Sequence, residues 1–391
     1  MLRDEYATGR CLVLATGADI RYASAVAIHL GIFDSVLASD GHTNLTGGNK
    51  AARLSGLYGE AGFDYIGDSK ADIPVWAKAR RSVRVSVVRP GFRTFRKALR
   101  IHQWVKNILV FLPLFTSHSF FEPSACWKAL AAFASFSLTA SAIYLINDLL
   151  DIDSDRVHRT KRRRPFASGA LSPLVGMALA PLLFAASFAI MAPMGATAVL
   201  ALLVYVALTF AYSFWLKRRM LTDVFSLSML YTMRILVGAA ATHIRCSAWL
   251  LGFSVFFFLS LAFLKRAAEL VDLARQDRFE VAGRGYYTWD LLQVNQFGVT
   301  SGYLAGLVLA LYINGEQVRL LYQQPAWLWL LVPVQLYWVS RAWILAHRGA
   351  MNEDPILFAA KDRVSYFCAA ASGFILMLAT TNSNFHVESI L

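Results

Sequence analysis

Hydrophobic residues along the chain fall into nine long apolar runs, which begin after residue 103 and are separated by charged residues, proline or glycine. A helix needs about 20 consecutive apolar residues to cross a hydrocarbon core of roughly 30 Å, and each run has about that length. The pattern therefore predicts nine membrane-spanning helices, at residues 104–121, 127–147, 171–192, 195–215, 221–241, 248–266, 297–314, 325–346 and 364–381.

The first 90 residues have a different pattern, in which short apolar segments alternate with amphipathic ones. After a first helix at 2–8, the pattern predicts strands at 11–15, 35–38, 63–66 and 84–88, and helices at 22–30 and 48–58. Strands that alternate with helices are typical of a parallel sheet. We therefore expect two domains, a small α/β domain at 1–90 and a mainly helical membrane domain at 91–391.

The composition agrees with this division. Hydrophobic residues make up 57% of the chain and charged residues only 16%, against about a quarter charged in soluble domains. An ordinary soluble enzyme is thereby excluded. The four cysteines lie far apart without C-x-x-C spacing, which argues against a disulfide framework or a thiolate metal site.

The distribution of basic residues predicts the orientation in the membrane. If the N-terminus is cytoplasmic, the connections on that side carry 18 lysines and arginines, and those on the other side carry three. Basic loops stay on the cytoplasmic side, so we expect a multi-pass protein of the cell inner membrane with its C-terminus on the opposite side. The net charge of +13 then faces anionic lipid and phosphate-bearing substrates, and no nucleic-acid partner is needed.

A run of carboxylates ends the second predicted span, in the segment Asn147-Asp148-Leu149-Leu150-Asp151-Ile152-Asp153-Ser154-Asp155. On a helix, Asp148, Asp151 and Asp155 fall within about 60° of one another, whereas Asp153 points about 140° away from Asp148. Anions gathered at a membrane boundary need a cation to neutralise them, and oxygen ligands suit Mg²⁺. The pattern predicts a Mg²⁺ site, with a solvated acidic helix end as the alternative.

A dense basic stretch follows these acids and ends at Pro165. Its side chains suit the binding of diphosphate oxygens while a metal bridges them. A plain cytoplasmic loop explains part of the basic excess but not its position beside the acids. The candidate phosphate ligands here are Arg156, Lys161 and Arg164.

Charged residues also enter the fifth and sixth predicted spans. Asp223 and Arg234 lie about 20° apart on one helix face and roughly 16 Å apart along the axis. Arg234 is therefore deep in the membrane, where ionisable groups are functional candidates; an arginine that ties two helices together is the alternative. Lys265, Glu269 and Asp272 share a face after the sixth span, and the motif Gly283-Arg284-Gly285-Tyr286-Tyr287 follows. These residues form part of a cytoplasmic cap or a solvated loop, and the sequence leaves both open.

These motifs resemble the UbiA superfamily of intramembrane prenyltransferases over about residues 95–385. Asn147 to Asp155 matches its N-D-x-x-D-x-x-x-D signature, and nine is its number of membrane helices. Further strings look most like the branch that contains bacterial decaprenyl-phosphate phosphoribosyltransferases. They are Gln103-Trp104-Val105-Lys106-Asn107, Tyr212-x-x-x-x-Lys217, Lys265-Arg266-x-x-Glu269-Leu270 and Glu353-Asp354-Pro355.

The resemblance implies a helical bundle in which two aspartate-rich motifs hold Mg²⁺ and a diphosphate. Asp223 is the only acid at the second motif, where prenyl-transferring relatives often have two, and this departure favours the phosphoribosyl branch. Carried over residue by residue, the catalytic and metal-binding acids are Asp148, Asp151, Asp155 and Asp223. The residues expected to bind substrate are Lys106, Asn147, Arg156, Lys161, Arg164, Tyr212, Lys217, Arg234 and Lys265.

The implied reaction is a dissociative transfer, in which Mg²⁺ and basic side chains stabilise diphosphate as it leaves carbon. The donor is either a polyprenyl diphosphate, or phosphoribosyl diphosphate with a polyprenyl phosphate as nucleophile, and the sequence separates these two poorly. From a different class, a membrane transporter or channel would also carry charges within spans. It would usually show internal repeats or helices broken at mid-membrane, and the sequence has neither.

The first domain resembles part of the haloacid dehalogenase-like phosphatases. Thr16 stands in a string like their second motif, Lys50 matches their third, and Asp68 and Asp72 match their fourth. The nucleophile string D-x-D-G-[TS] of that family is absent from the chain. Without it no acyl-phosphate can form, so we expect an inactive, incomplete domain, either a remnant or one whose first strand is encoded upstream of Met1.

Overall fold

The computed structural model describes residues 2–85, 90–279, 284–351 and 354–380. The chain divides into two compact units, Met1–Arg89 and Pro90–Leu391. Helices account for 73% of the structure, which confirms the mainly helical fold class.

The N-terminal unit alternates helices and strands. Its strands are β1 (Val13–Asp19), β2 (Ser35–Ser39), β3 (Asp64–Gly67) and β4 (Arg81–Arg84), and its helices are α1 (Leu2–Ala7), α2 (Ile20–Leu30), α3 (Gly47–Tyr58) and α4 (Ile73–Trp76). β1 pairs in parallel with β2, and β3 pairs in parallel with β4. A small apolar core of Ala51, Leu54, Tyr65 and Val75 lies between α3, α4 and β3.

The predicted strands and helices of this unit are confirmed within two residues, apart from the first and last strands. The first was expected at 11–15 and is found at Val13–Asp19. The last was expected at 84–88 and is found at Arg81–Arg84, while 86–88 lie outside the described residues. The expectation placed it late because Val85, Val87 and Val88 are apolar, whereas the parallel ladder joins Asp64 to Arg81 and Gly67 to Arg84.

The second unit contains eight helices that are long and apolar enough to cross a membrane, so the chain is a multi-pass membrane protein. Each helix corresponds to one of the predicted spans. The eight helical segments are Pro123–Leu150, Pro173–Met194, Ala196–Arg218, Thr222–Thr242, Ala248–Ala274, Thr288–Ile313, Pro325–His347 and Arg363–Thr380.

The α-helices of the second unit are α5 (Phe92–Ala98), α6 (Leu112–Thr116), α7 (Pro123–Leu150), α8 (Ile152–Val157), α9 (Pro173–Met191), α10 (Ala196–Phe214), α11 (Thr222–Thr242), α12 (Ala248–Ala274), α13 (Leu291–Ile313), α14 (Glu316–Leu321), α15 (Leu331–His347), α16 (Pro355–Ala359) and α17 (Arg363–Thr380).

The first predicted span, 104–121, is not one long helix. A 3₁₀ helix at Ile101–Phe111 is followed by α6 and by a 3₁₀ turn at Ser119–Phe121. Pro113 falls in the first turn of α6, where proline is tolerated, but it cannot continue the helix that precedes it. The count of nine spanning helices is therefore not confirmed; eight are found in the described part of the chain.

The segment Ile101–Phe111 nevertheless lies inside the unit, against α7 and α11. Gly238 on α11 makes this approach possible, because a Cβ at that position would lie 2.0 Å from the backbone oxygen of Val110. One apolar cluster joins α7, α9, α10 and α11, and a second joins α11, α12, α13 and α15. α11 therefore stands at the centre, and the candidate site is built around it.

Candidate functional site

The first aspartate motif lies at a break between α7 and α8. Asp151 separates the two helices, but its amide still donates to the Asn147 carbonyl at 3.0 Å and its carbonyl accepts from the Asp155 amide at 2.8 Å. The helical phase is therefore kept across the break. Asp148 and Asp155 are buried, Asp151 is half-buried, and the Asp153 side chain is 98% exposed, so Asp153 points away as predicted.

Two arginines bind the buried pair of carboxylates. Arg164 Nη1 donates to Asp148 Oδ1 at 3.1 Å and to Asp155 Oδ2 at 2.7 Å. Arg100 Nη2 donates to Asp148 Oδ1 at 2.5 Å, and its guanidinium lies 4.8 Å from the ring centroid of Tyr144. The structure thus brings Arg164 to the acids and adds Arg100, which the sequence reasoning missed.

The other predicted ligands near this motif do not contact its buried carboxylates. Arg156 and Lys161 are exposed, and Arg156 pairs with exposed Asp153 at 3.5 Å. Asn147 Nδ2 lies 3.5 Å from Ser213 Oγ. Lys217 is half-buried and lies within electrostatic range of Asp151.

A second charged cluster forms where α11 begins. Arg266 Nη2 donates to Asp223 Oδ2 at 2.6 Å, and Arg266 also pairs with Glu269 on its own helix. Arg284 Nη1 lies 4.0 Å from Asp223 Oδ2 and 3.9 Å from Glu269 Oε2. Asp223 is the only acid of its own motif, and the structure places a second acid, Glu269 of α12, at the same two arginines.

Tyr286 holds the turn that positions Asp223. Leu221 has a left-handed φ of 64°, which costs energy for a residue with a branched side chain. Its amide donates to the Tyr286 hydroxyl at 2.8 Å, and that hydroxyl donates to Asp223 Oδ1 at 2.7 Å. Burial, and then the hydrogen bond to the Asp223 carboxylate, raise the pKa of Tyr286, so it acts as a neutral donor.

A third cluster lies between the segment Ile101–Phe111, α11 and α12. Asp354 Oδ2 is 2.8 Å from Lys106 Nζ and 3.3 Å from Lys265 Nζ, and the Tyr231 hydroxyl donates to the same carboxylate at 3.2 Å. Burial opposes the charge on Asp354, but the Lys265 and Lys106 ammonium groups outweigh it and hold its pKa well below the usual range.

Arg234 lies next to this cluster and has neutral partners. Its Nε donates to Asn107 Oδ1 at 3.2 Å and its Nη1 to the Leu230 carbonyl at 2.5 Å. Its guanidinium lies 5.2–5.6 Å from three ring centroids, those of Phe136, Tyr205 and Tyr231. Arg234 therefore ties α11 to the segment Ile101–Phe111, but Asp223 is not its partner.

Two residues connect the three clusters. Lys217 lies within electrostatic range of both Asp151 in the first cluster and Arg284 in the second. Tyr144, one turn before Asp148, stacks on Arg100 and lies within electrostatic range of Asp354 in the third. The chain thus gathers residues from distant segments into one connected polar region.

The three clusters differ in their balance of charge. In the first, the buried acids Asp148 and Asp155 face two arginines, and in the second Asp223 and Glu269 face two arginines. The third, counted together with the adjacent Arg234, holds three cations but a single acid among the described residues. Since buried charges are normally paired, this excess of about two positive charges suits an anionic ligand.

The first motif fits a divalent cation by its donor chemistry. Within the described residues, no hydrogen bond is made to Asp148 Oδ2 or Asp155 Oδ1, so each buried carboxylate keeps one oxygen for a ligand. No three His, Cys, Asp or Glu side chains converge in those residues as a complete metal cage. Mg²⁺ does not need one, because it commonly takes one or two carboxylates and completes its shell with water and substrate phosphate.

Two of the four residues expected to be phosphatase-like in the N-terminal unit come together. Lys50 Nζ donates to Asp72 Oδ1 at 2.9 Å and to the Tyr65 hydroxyl at 3.0 Å, and all three residues are buried. Thr16 bonds only to the Ala18 amide, at 3.2 Å, among the described contacts, and Asp68 is exposed.

The sequence reasoning missed most of the arginines and tyrosines that contact the predicted acids. Arg266 and Glu269 carry a weak signal, because they are three residues apart on one helix face. Arg284 and Tyr286 belong to a motif that the sequence analysis considered for a cytoplasmic cap, without a role for either side chain. Arg100, Tyr231 and, beyond its place in a family string, Asp354 come from segments far away in sequence and gave no signal of a role in the site.

Comparisons with known proteins agree with the fold. The model of the UbiA prenyltransferase family matches residues 108–372. The uncharacterized protein y4nM of Sinorhizobium fredii is 35% identical over 97% of this chain and 78% of its own length. Decaprenyl-phosphate phosphoribosyltransferase of Mycolicibacterium smegmatis is 39% identical over 44% of this chain, which spans only 56% of that protein. A UbiA homolog from Archaeoglobus fulgidus, solved with GPP and Mg²⁺, is 14% identical and superposes with a TM-score of 0.54 over 73% of this chain and 99% of its own.

Proposed function

The chain belongs to the UbiA prenyltransferase family, and we propose that it is a Mg²⁺-dependent membrane transferase that uses a diphosphate donor and a lipidic polyprenyl substrate. The observation that carries this proposal is the pair of buried carboxylates Asp148 and Asp155 beside Arg100 and Arg164. Buried acids and bases at the end of a membrane helix suit a ligand that combines a cation with phosphate groups.

In this proposal Asp148, Asp151 and Asp155 hold Mg²⁺, with Asp223 and Glu269 as support on the facing side. When bound, the ion neutralises negative charge on the leaving diphosphate. Arg164 and Lys217 donate to diphosphate oxygens, and so does Arg284, whose buried Nη1 has no hydrogen-bond partner within the described residues. A buried donor without a partner is costly, so a phosphate oxygen there stabilises the complex.

The version of the reaction that the third cluster favours is phosphoribosyl transfer to a polyprenyl phosphate. A phosphate monoester carries about two negative charges, and this number matches the excess of about two positive charges around Lys106, Lys265 and Arg234. Its oxygen attacks the anomeric carbon as the bond from that carbon to diphosphate breaks, and the bonding electrons leave with diphosphate. A phosphate dianion needs no general base, and the bundle has only to position it and exclude water.

Prenyl transfer from a polyprenyl diphosphate is the second candidate. The A. fulgidus neighbour, solved with GPP and Mg²⁺, favours it. Both candidates use the same acids and arginines for the departing diphosphate and differ in the group that is transferred.

We further propose that the protein lies in the cell inner membrane with its basic connections in the cytoplasm. The segment 101–121 then forms a ninth crossing, which puts the C-terminus on the opposite side. In the N-terminal unit, the contact of Lys50 with Asp72 supports the proposal of an incomplete phosphatase-like domain.

The deciding experiment incubates purified protein and Mg²⁺ with two donors in separate reactions. One contains labelled phosphoribosyl diphosphate and a polyprenyl phosphate, and the other contains a labelled polyprenyl diphosphate with candidate acceptors. We expect label in the lipid product of the first reaction. Label only in the second establishes prenyl transfer. If neither donor is turned over and the protein conducts ions in liposomes, the proposal of an enzyme is rejected in favour of a transporter or channel.

A further inference from the structure

A cavity of about 400 Å³ lies in the membrane unit, at the ends of the helices opposite to the acids. Its walls come from the first turns of α12, with Leu250 and Phe253, from the last turns of α13, with Ile313, and from α15 and α17. Leu250 and Arg266 are 16 residues apart on α12, or about 24 Å along its axis. The cavity is therefore separate from the site that contains Arg266 and Asp223.

The walls of this cavity are mostly apolar and reach the surface of the unit. Trp249, Leu321 and Leu376 line it and are 37%, 45% and 39% exposed. The outer surface of membrane helices faces lipid, and the bilayer core holds no water that could fill a groove there. An apolar cavity that opens on this surface is suited to a hydrocarbon chain.

The serine and threonine hydroxyls of the wall are already bonded within the protein. Thr116 Oγ1 and Ser117 Oγ donate to carbonyls of their own turns at 3.1 and 3.3 Å. Ser247 Oγ accepts from the Leu250 amide at 3.1 Å. These side chains therefore add little polarity to the cavity.

Two tyrosines of the wall have hydroxyl groups that the protein does not satisfy. Tyr312 and Tyr322 line the cavity, and Tyr322 is only 7% exposed, with its ring edge-on to His118 at 4.9 Å between centroids. Within the described residues neither hydroxyl makes a hydrogen bond. Because a buried donor without a partner is costly, the cavity suits a ligand with acceptor oxygens. The ester carbonyls of a glycerophospholipid supply them, whereas a polyprenyl chain is pure hydrocarbon.

Arg245 adds one positive charge to the cavity. It lines the cavity and is exposed, and in the described part of the chain it has no hydrogen bond or ion pair. The described residues that line the cavity include no Asp or Glu. This arginine is one of the three basic residues in the connections on this side of the predicted spans. A guanidinium without an acid partner beside an apolar cavity suits a lipid phosphate.

We propose that this cavity binds an anionic glycerophospholipid of the leaflet opposite to the acids. One acyl chain lies along α12 and α13, the two tyrosines donate to ester carbonyls, and Arg245 donates to the phosphate. The size agrees, because small-molecule sites are clefts of roughly 300–1,000 Å³ with apolar walls and a few polar groups. A zwitterionic lipid binds less tightly, since its head group carries a cation of its own. Trp249, Tyr312 and Tyr322 are of the two residue types that membrane proteins place at the level of the head groups.

Trp249 gives a direct test, because it is part of the cavity wall. The full chain is reconstituted in phosphatidylcholine vesicles that contain a small fraction of either phosphatidylglycerol or phosphatidylcholine with dibrominated acyl chains, which quench tryptophan fluorescence on contact. The difference in quenching between the protein and its Trp249→Phe form isolates this residue. We expect half-quenching at a mole fraction of brominated phosphatidylglycerol that is lower by at least about fivefold than that of brominated phosphatidylcholine.

Two pairs of variants, each compared with its own Trp249→Phe form, separate the head-group contact from the cavity. Arg245→Gln should remove the preference for phosphatidylglycerol, whereas Arg319→Gln, on the same side but outside the cavity wall, should keep it. Val308→Phe narrows the cavity and should weaken the quenching by both brominated lipids. Leu304→Phe, one turn earlier on α13 and outside the wall, should leave it unchanged.

Equal quenching by the two lipids, or a preference that survives Arg245→Gln, would overturn the proposal. Equal effects of Val308→Phe and Leu304→Phe would do the same, because the acyl chain would then lie outside the cavity. Unlabelled polyprenyl phosphate is added as a competitor. If it relieves the quenching at a lower mole fraction than unlabelled phosphatidylglycerol does, the occupant is a polyprenyl chain and the proposal is wrong. No donor is present in these vesicles, so the outcome is independent of the transfer reaction proposed above.

Discussion

Arg266 Nη2 lies 2.6 Å from Asp223 Oδ2, and the two side chains are only 1% and 0% exposed. This contact joins the first turn of α11 to the last third of α12. A charge taken so far from water is stable only with its partner in place. The pair therefore fixes the position of Asp223 and makes this part of the site dependent on two residues 43 positions apart.

Replacing Asp223 alone should destabilise the protein. Asp223→Ala leaves Arg266 and Arg284 with Glu269 as the acid near them, and we expect a loss of about 3 kcal/mol. The free energy of unfolding can be followed by titration with SDS. In a double-mutant cycle, Asp223→Ala combined with Arg266→Met should cost clearly less than the sum of the single changes. Additive losses would contradict a direct interaction.

Asp151→Asn should stop transfer without loss of the fold. Asp151 is half-buried and, unlike Asp148 and Asp155, has no arginine partner in the described residues, so its replacement removes a ligand charge and little structure. We expect a loss of at least about 100-fold in kcat with the labelled donor and an unchanged unfolding transition. Asp153→Asn is the matched control, because Asp153 is 98% exposed. Equal activity of the two variants would show that Asp151 has no part in the reaction.

Lys106→Met should weaken use of the lipid substrate. Removing one of three cations from the third cluster lowers its attraction for an anionic head group, and we expect kcat/KM for polyprenyl phosphate to fall about 10- to 100-fold, or roughly 1.4–2.7 kcal/mol. The Kd for Mg²⁺ and phosphoribosyl diphosphate should stay within about twofold. Lys97→Met, at an exposed site on α5, is the control and should leave both constants unchanged. A fall only in the affinity for phosphoribosyl diphosphate would show that Lys106 binds the donor and not the lipid phosphate.

Gly238→Ala should be strongly destabilising. The new Cβ would lie 2.0 Å from the Val110 oxygen, and a backbone atom cannot move aside without shifting the segment Ile101–Phe111. We expect a loss of about 3 kcal/mol or more, measured by SDS titration. Gly373→Ala is the control on α17, because no atom lies within 4 Å of its new Cβ. There the better helix propensity of alanine should stabilise by up to about 1 kcal/mol. Similar effects at both sites would argue against the close contact.

The N-terminal unit should lose stability at acid pH through Asp72. Burial opposes the charge on this carboxyl, but hydrogen bonds from Lys50 and Tyr65 outweigh it and lower its pKa. A carboxyl with a lowered folded-state pKa stabilises the fold above its unfolded value near 4, and this stabilisation is lost as the pH falls further. Hydrogen exchange in residues 50–72 of the full chain, corrected for the intrinsic rate, should show protection falling below about pH 4. Asp72→Asn should remove that dependence, and an unchanged profile would contradict the role of this pair.

The sequence alone determined that most of the chain lies in a membrane and which acids are candidates for the site. Eight of nine predicted spans are helices, because the length of an apolar run and the thickness of a bilayer are local quantities that need no knowledge of the fold. The order of strands and helices in the first 85 residues was also predicted, apart from the short helix α4, since alternation of short apolar runs is a local pattern. The helical phase of Asp148, Asp151 and Asp155 followed from 100° per residue in the same way.

Only the tertiary structure decided which charges meet. Arg100 lies 48 positions from Asp148, Tyr286 lies 63 from Asp223, and Asp354 lies 89 from Lys265, and no periodicity connects residues at such separations. The first predicted span is broken at Pro113, a local feature that apolar length does not register, and its course also depends on packing. Apolar length measures the transfer of side chains to lipid, whereas the course of Ile101–Phe111 is set by contact with Gly238 on α11. Local sequence fixes the elements because their periods repeat every few residues, but the charge balance of the site depends on packing between distant helices.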